Sequence, residues 1–120
     1  AKLGVSVGGE MTHKGFLESE SGFISEKDSL KIYEIAAKEK INDYVVPGNK
    51  PEKIKLYKAF LEARGIKPVF YSPGLIAQGG NITESAQAAG ESWHAIIGRA
   101  LYNAKDIHNA AKELVKNLSP

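Results

Sequence analysis

The chain has 120 residues, 42% of them hydrophobic and 25% charged, with a net charge of +2 and no cysteine. That length holds one domain or part of one and falls short of the roughly 250 residues of a complete (β/α) barrel. Interleaved acids and bases offer no basic stripe for nucleic acid, no apolar run approaches the roughly 20 residues of a membrane span, and the lack of cysteine excludes disulfides, thiolate zinc sites and a cysteine nucleophile.

In chain order, Leu3 to Val7 reads as a short strand that delivers the loop Gly8-Gly9-Glu10-Met11-Thr12-His13-Lys14-Gly15. Opening on Ala1-Lys2 with no methionine and entering a strand almost at once, the sequence has the pattern expected of a piece of a longer protein. After a polar connection over 16–24, Ser25-Glu26-Lys27-Asp28 resembles a capping box. The helix after it, to about Lys40, is expected to bury Ile32, Ile35 and Ala36 beside Leu30, Tyr33 and Ala37. Tyr44-Val45-Val46, stopped by Pro47-Gly48, reads as a buried parallel strand. Asn49 is the expected cap of a helix with Pro51 and Glu52 in its first turn, Ile54, Tyr57, Phe60 and Leu61 on one face, and Arg64-Gly65 at its end.

A third strand spans 67–71, with Pro68 at its entry. Asn81 and Glu84 bracket the start of a short helix that stops at Gly90, and Trp93 to Ile97 is the fourth strand. The last helix carries a stripe of Ile107, Ala110, Ala111, Leu114, Val115 and Leu118. The order βαβαβαβα predicts an α/β fold of four units with parallel strands joined by right-handed crossovers. Periodicity alone leaves two architectures open, a small doubly wound sheet and half of an eight-unit barrel. Two Asn-x-Ser/Thr sequons, at Asn81 and Asn117, are read as chance matches in a cytoplasmic protein.

Ligands of parallel α/β folds collect at the carboxyl ends of the strands. Four loops gather there: GGEMTHKG, VPGNKPE, SPGLIAQGGN and GRALYN. Gly79 and Gly80 let backbone amides approach an oxyanion, Gln78 adds an amide donor from the same turn, and Arg99 follows Gly98 with a planar fork suited to phosphate. Each residue taken singly is explained by a turn or a solvated surface. In this order on adjacent strand ends they point to an anion site. The remaining candidates are thinner: His13, His94 and His108 lack ligand spacing, Ser72 sits in no nucleophile elbow, and Glu10 is the one carboxylate clearly at a strand end, without a second.

The runs SPGLIAQGG and HAIIGRALYNAKD, with GGEMTHKG and VPGNKPEKI before them, closely resemble the C-terminal half of the orotidine 5′-monophosphate decarboxylase family. The resemblance covers essentially the whole chain. It implies one domain over 1–120, half of a (β/α)8 barrel holding strands five to eight, and the nucleotide-binding part of a carboxy-lyase of pyrimidine synthesis that uses neither metal nor organic cofactor. By the same resemblance Gln78 and Arg99 grip the substrate's 5′-phosphate, with Gly79, Gly80 and Gly98 assisting. Thr12 contacts the pyrimidine, standing where serine is common and keeping its hydroxyl, while Pro73 lines the base pocket and 73–81 closes over the phosphate. The implied partners are orotidine 5′-monophosphate or UMP, the N-terminal half of the barrel or a second copy of the chain, and a homodimer in the full enzyme.

Two departures stand out. The family's charged array, Asp-x-Lys-x-x-Asp, is nowhere in this sequence, and Lys14 stands where proline is common. Catalytic residues are therefore expected outside this chain, and the chain alone is expected to be inactive. A non-catalytic nucleotide-binding half-barrel, or a related sugar-phosphate decarboxylase or synthase, are the alternatives.

Overall fold

A computed structural model describes residues 3–116 and 118, so Ala1, Lys2 and the sequon at Asn117 lie outside the described residues. Four short strands, β1 (Ser6–Gly8), β2 (Asp43–Val45), β3 (Val69–Ser72) and β4 (Trp93–Ala95), form one parallel sheet in sequence order. Helices α1 (Glu26–Lys38), α2 (Pro51–Glu62) and α3 (Ile82–Ala89) connect them, and α4 (Arg99–Tyr102) and α5 (Ile107–Val115) follow β4. Among the described residues β1 and β4 are each paired on one side only, so the sheet has two open edges. No helix among them is long and apolar enough to cross a membrane.

The predicted units are all present, with strands shorter than the apolar runs that mark them. Strand one moves to Ser6–Gly8, because parallel pairing begins only where Ser6 meets Asp43, leaving Leu3 88% exposed. Helix signals are obeyed more closely. Ser25 accepts the Asp28 amide at 3.0 Å, and Asn81 accepts that of Glu84 at 3.1 Å. Gly65, at φ +76, follows the last turn of α2, and the Ile66 amide returns to Leu61 O at 3.2 Å. Arg64 stacks its guanidinium over the Phe60 ring at 3.5 Å.

Register decides which face is covered. Tyr44, Phe70 and Trp93 form one cross-strand row, and with Val7 they face the helices. Tyr33, Ile54, Tyr57 and Leu61 close over that row, each burial contributing about 1.5–3 kcal/mol. Tyr33 packs on Tyr57 with ring centroids 4.3 Å apart and on Tyr44 at 5.9 Å. The expected stripe of α1 is rotated: Ser29, Tyr33, Ala36 and Ala37 are buried, whereas Ile35 is 53% exposed. Ile32 is 39% exposed as well, so this side of α1 has no covering element among the described residues.

The opposite face of the sheet carries polar as well as apolar side chains. Its row Val45, Tyr71, His94 holds one aliphatic and two polar aromatic side chains, with the Tyr71 hydroxyl donating to Asp43 Oδ1 at 3.0 Å and His94 stacked on Tyr71 at 4.8 Å. At the far edge the stripe of α5 stays half open. Ala111, Leu114, Val115 and Leu118 line an apolar cleft with Ala95, Ile97 and Leu101, and Ile107 is 55% exposed.

Candidate functional site

The second and third strand-end loops are tied to each other and to α3 by hydrogen bonds. The Gly48 amide donates to Pro73 O at 2.8 Å, and the Ser85 hydroxyl donates to Gly48 O at 2.6 Å. Gly80 fits between these loops because it has no side chain: a Cβ there stands 2.6 Å from Gly74 O and 2.8 Å from Gly48 O. Within the third loop the amides of Gly79 and Gly80 donate to Ile76 O and Gly74 O at 3.0 and 3.1 Å. The double glycine therefore shapes the turn, with its amides engaged inside it. Ile76 sits in the same turn at φ +60, a left-handed conformation unfavourable to a β-branched residue, and is 44% exposed.

Gln78, Gly98, Arg99 and Pro73 line one cleft of about 220 Å³, closed on its sides by Leu75, Ile96 and Tyr102. Gly79 and Gly80 open on the other side of the loop, toward Asn81, Ile82 and Thr83. Arg99 forms no ion pair among the described residues, and no acceptor is found there for the amides of Gly98 and Arg99. Thr12 approaches the same cleft from the first loop. A Cβ on Gly74, at φ +85, meets Thr12 Cγ2 at 2.6 Å and Gln78 Oε1 at 3.0 Å, so both side chains converge over this glycine.

Behind Thr12 lies a buried ionic cluster that sequence reasoning missed. Glu10 does not face the cleft: it turns inward, fully buried, and accepts hydrogen bonds from Tyr57 and, at 2.9 Å, from Lys50. Lys50 also reaches both carboxylate oxygens of Glu20, at 2.7 and 2.9 Å. Ser29 donates to Gly9 O at 2.8 Å and meets the Tyr57 hydroxyl at 3.2 Å. Asn49 is not the cap of α2. Lys50 occupies that position without a side-chain cap bond, and Asn49 Nδ2 instead donates to Thr12 O at 2.8 Å. The one available signal is Tyr57, a hydroxyl on the apolar stripe of α2 that needs a buried partner.

The cluster sets a pH window. The Lys50 hydrogen bond holds the Glu20 carboxyl below its ordinary value of 4.5. Burial works to lower the Lys50 ammonium, but its bonds and charge pairing with Glu20 and Glu10 outweigh that and raise it above 10.5. Burial, then the bond to Glu10, pushes the Tyr57 phenol upward, so it stays a donor. A depressed carboxylate stabilises fully above its unfolded value and loses that contribution as pH falls through its folded value; a raised ammonium does so in the opposite direction. Urea midpoints are therefore expected to be flat between pH 4.5 and 10.5 and to fall outside it, with Glu20→Gln flattening the acid limb. An unchanged acid limb in that variant contradicts the assignment.

No family model matches the chain. Curated relatives do. The chain is 34% identical over 105 residues to orotidine 5′-phosphate decarboxylase of Pyrococcus abyssi, covering 88% of this chain and 46% of that protein. To the Methanocaldococcus jannaschii protein of the same name it is 31% identical over 110 residues, covering 92% and 47%. Among solved structures, orotidine 5′-monophosphate decarboxylase from M. jannaschii, complexed with the inhibitor BMP, matches with a TM-score of 0.78 and 29% identity over 98% of this chain and 50% of that one. The Sulfolobus solfataricus enzyme matches at 0.73 and 28%, over 93% and 46%. The chain thus spans about half the length of the relatives it matches. The resemblance read from the strand-end loops is borne out, as is the fold: four parallel βα units corresponding to half of the barrel of these enzymes.

Proposed function

We propose that this chain is the phosphate- and base-binding half of an orotidine 5′-monophosphate decarboxylase, a single unit over 1–120 that holds the nucleotide while groups outside it do the chemistry. The convergence of Gln78, Gly98, Arg99 and Pro73 on one cleft, with Thr12 beside Gln78, is the observation that carries this reading. Arg99 and Gln78 take the 5′-phosphate, the free amides of Gly98 and Arg99 add donors, and Gly79 and Gly80 keep the loop in the shape that presents Gln78. The Thr12 hydroxyl then meets the pyrimidine and Pro73 lines its pocket. Binding energy from the phosphate, remote from the reacting carbon, keeps the loop closed and holds the base in place, and neither metal nor organic cofactor has a part.

The open edges at β1 and β4, the exposed Ile32 and Ile35, and the half-open cleft along α5 support association with a complementary half-barrel, and a homodimer of the completed protein in the cytoplasm. Decarboxylase assays with orotidine 5′-monophosphate are expected to find the chain inactive alone and active once joined to four N-terminal βα units carrying Asp-x-Lys-x-x-Asp. An inactive joined protein that still binds UMP favours the non-catalytic binding module.

A further inference from the structure

The Glu10–Lys50–Glu20 bridge spans the two ends of the loop that carries Thr12. Glu10 begins the loop, Glu20 ends it in a 3-10 turn at Glu18–Glu20, and Lys50, 8% exposed, ties both to the start of α2. The next residue back, Asn49, holds the Thr12 carbonyl, and its own Oδ1 is buried without a partner among the described residues. Gly48, adjoining, bonds the Pro73 carbonyl, so three consecutive residues fix both proposed base contacts from one loop. A surface ion pair contributes little to such order, whereas this bridge joins the fully buried Glu10 to the partly exposed Glu20 through a nearly buried Lys50, one end of the loop to the other.

We propose that Lys50 is a positioning residue for pyrimidine recognition: bridging Glu10 and Glu20, it sets the height of Thr12 over the cleft, and Asn49 fixes the Thr12 carbonyl so that the hydroxyl faces the base. This rests on the base-pocket reading given above. Arg99, which follows β4, forms no bond to Glu10, Lys50 or Glu20 among the described residues, so the proposed phosphate grip is expected to respond to the bridge far less than Thr12 does.

The test is the split between two ligands in the chain joined to its complementary half-barrel. In Glu20→Gln, which spares the buried Glu10 pair, UMP affinity is expected to fall about tenfold while ribose 5-phosphate affinity changes less than about twofold, since misplacing one contact costs what that contact supplied. Lys50→Met is expected to show the same split more strongly, and Lys50→Arg to restore much of the UMP affinity by retaining the charge. Equal loss for both ligands, or no loss for either, overturns the proposal. If the unaltered protein shows no preference for UMP over ribose 5-phosphate, the base-pocket reading fails, and the bridge is then judged by amide exchange over residues 10–20. Faster exchange there in Glu20→Gln, with β2 and β3 unchanged, supports the positioning role, and unchanged exchange overturns it.

Discussion

Replacing Arg99 with alanine is expected to weaken UMP binding by more than about 100-fold, because the proposed phosphate site would lose two charge-assisted hydrogen bonds contributing about 1.5–3 kcal/mol each. Folding stability should not change, since Arg99 is exposed and forms no ion pair among the described residues. Gln78→Ala removes a neutral donor and is expected to cost about tenfold. Raising the salt concentration should weaken the unaltered protein and leave Arg99→Ala less sensitive, because the guanidinium supplies the screened part of the attraction. Calorimetric titration checks the three binding statements, and urea unfolding checks the stability one. An Arg99→Ala protein that binds UMP as well as the original removes Arg99 from the site.

The second large effect falls on stability. Lys50→Met leaves the Glu10 carboxylate fully buried without its counter-charge, a change that costs about 3–5 kcal/mol where one partner of a buried pair is removed. Adding Glu10→Gln should recover much of the loss, since a neutral amide still accepts the Tyr57 hydroxyl and carries no charge to desolvate. By contrast Lys116 and Glu113, with side chains 70% and 62% exposed, form a pair whose removal should move the midpoint by less than about 0.5 kcal/mol. Urea unfolding of the single and double variants decides the point. A Lys50→Met protein as stable as the original shows that the pair contributes nothing.

Much of this fold was legible because its signals are local. Ser25 and Asn81 cap their helices through side chains one turn away, Gly65 and Gly90 stop them with positive φ, and alternating apolar runs and polar turns give the βα order. What was not legible depends on neighbours distant in sequence. Ile35 reads as core on the stripe of α1, yet it is 53% exposed, and Ser29 is buried in the helix face instead, bonded to Gly9 O. Asn49 has the chemistry of a cap, but the cap position of α2 falls one residue later, at Lys50, and Asn49 instead gives its amide to Thr12 O, 37 residues away, while its Oδ1 accepts nothing among the described residues. The site divides the same way: Gln78, Gly98 and Arg99 announce themselves by loop composition, while Glu10 and Lys50, 40 residues apart, look like two ordinary surface charges until the fold buries them together.

The proposed site would recognise a pyrimidine nucleotide by its phosphate and its base through separate groups. Titrating the chain, joined to its complementary half-barrel, with UMP and with inorganic phosphate tests it most directly. UMP is expected to bind at least about 100-fold more tightly than phosphate, the sum of base and ribose contacts added to a shared anion site. Equal affinity for the two ligands contradicts the account.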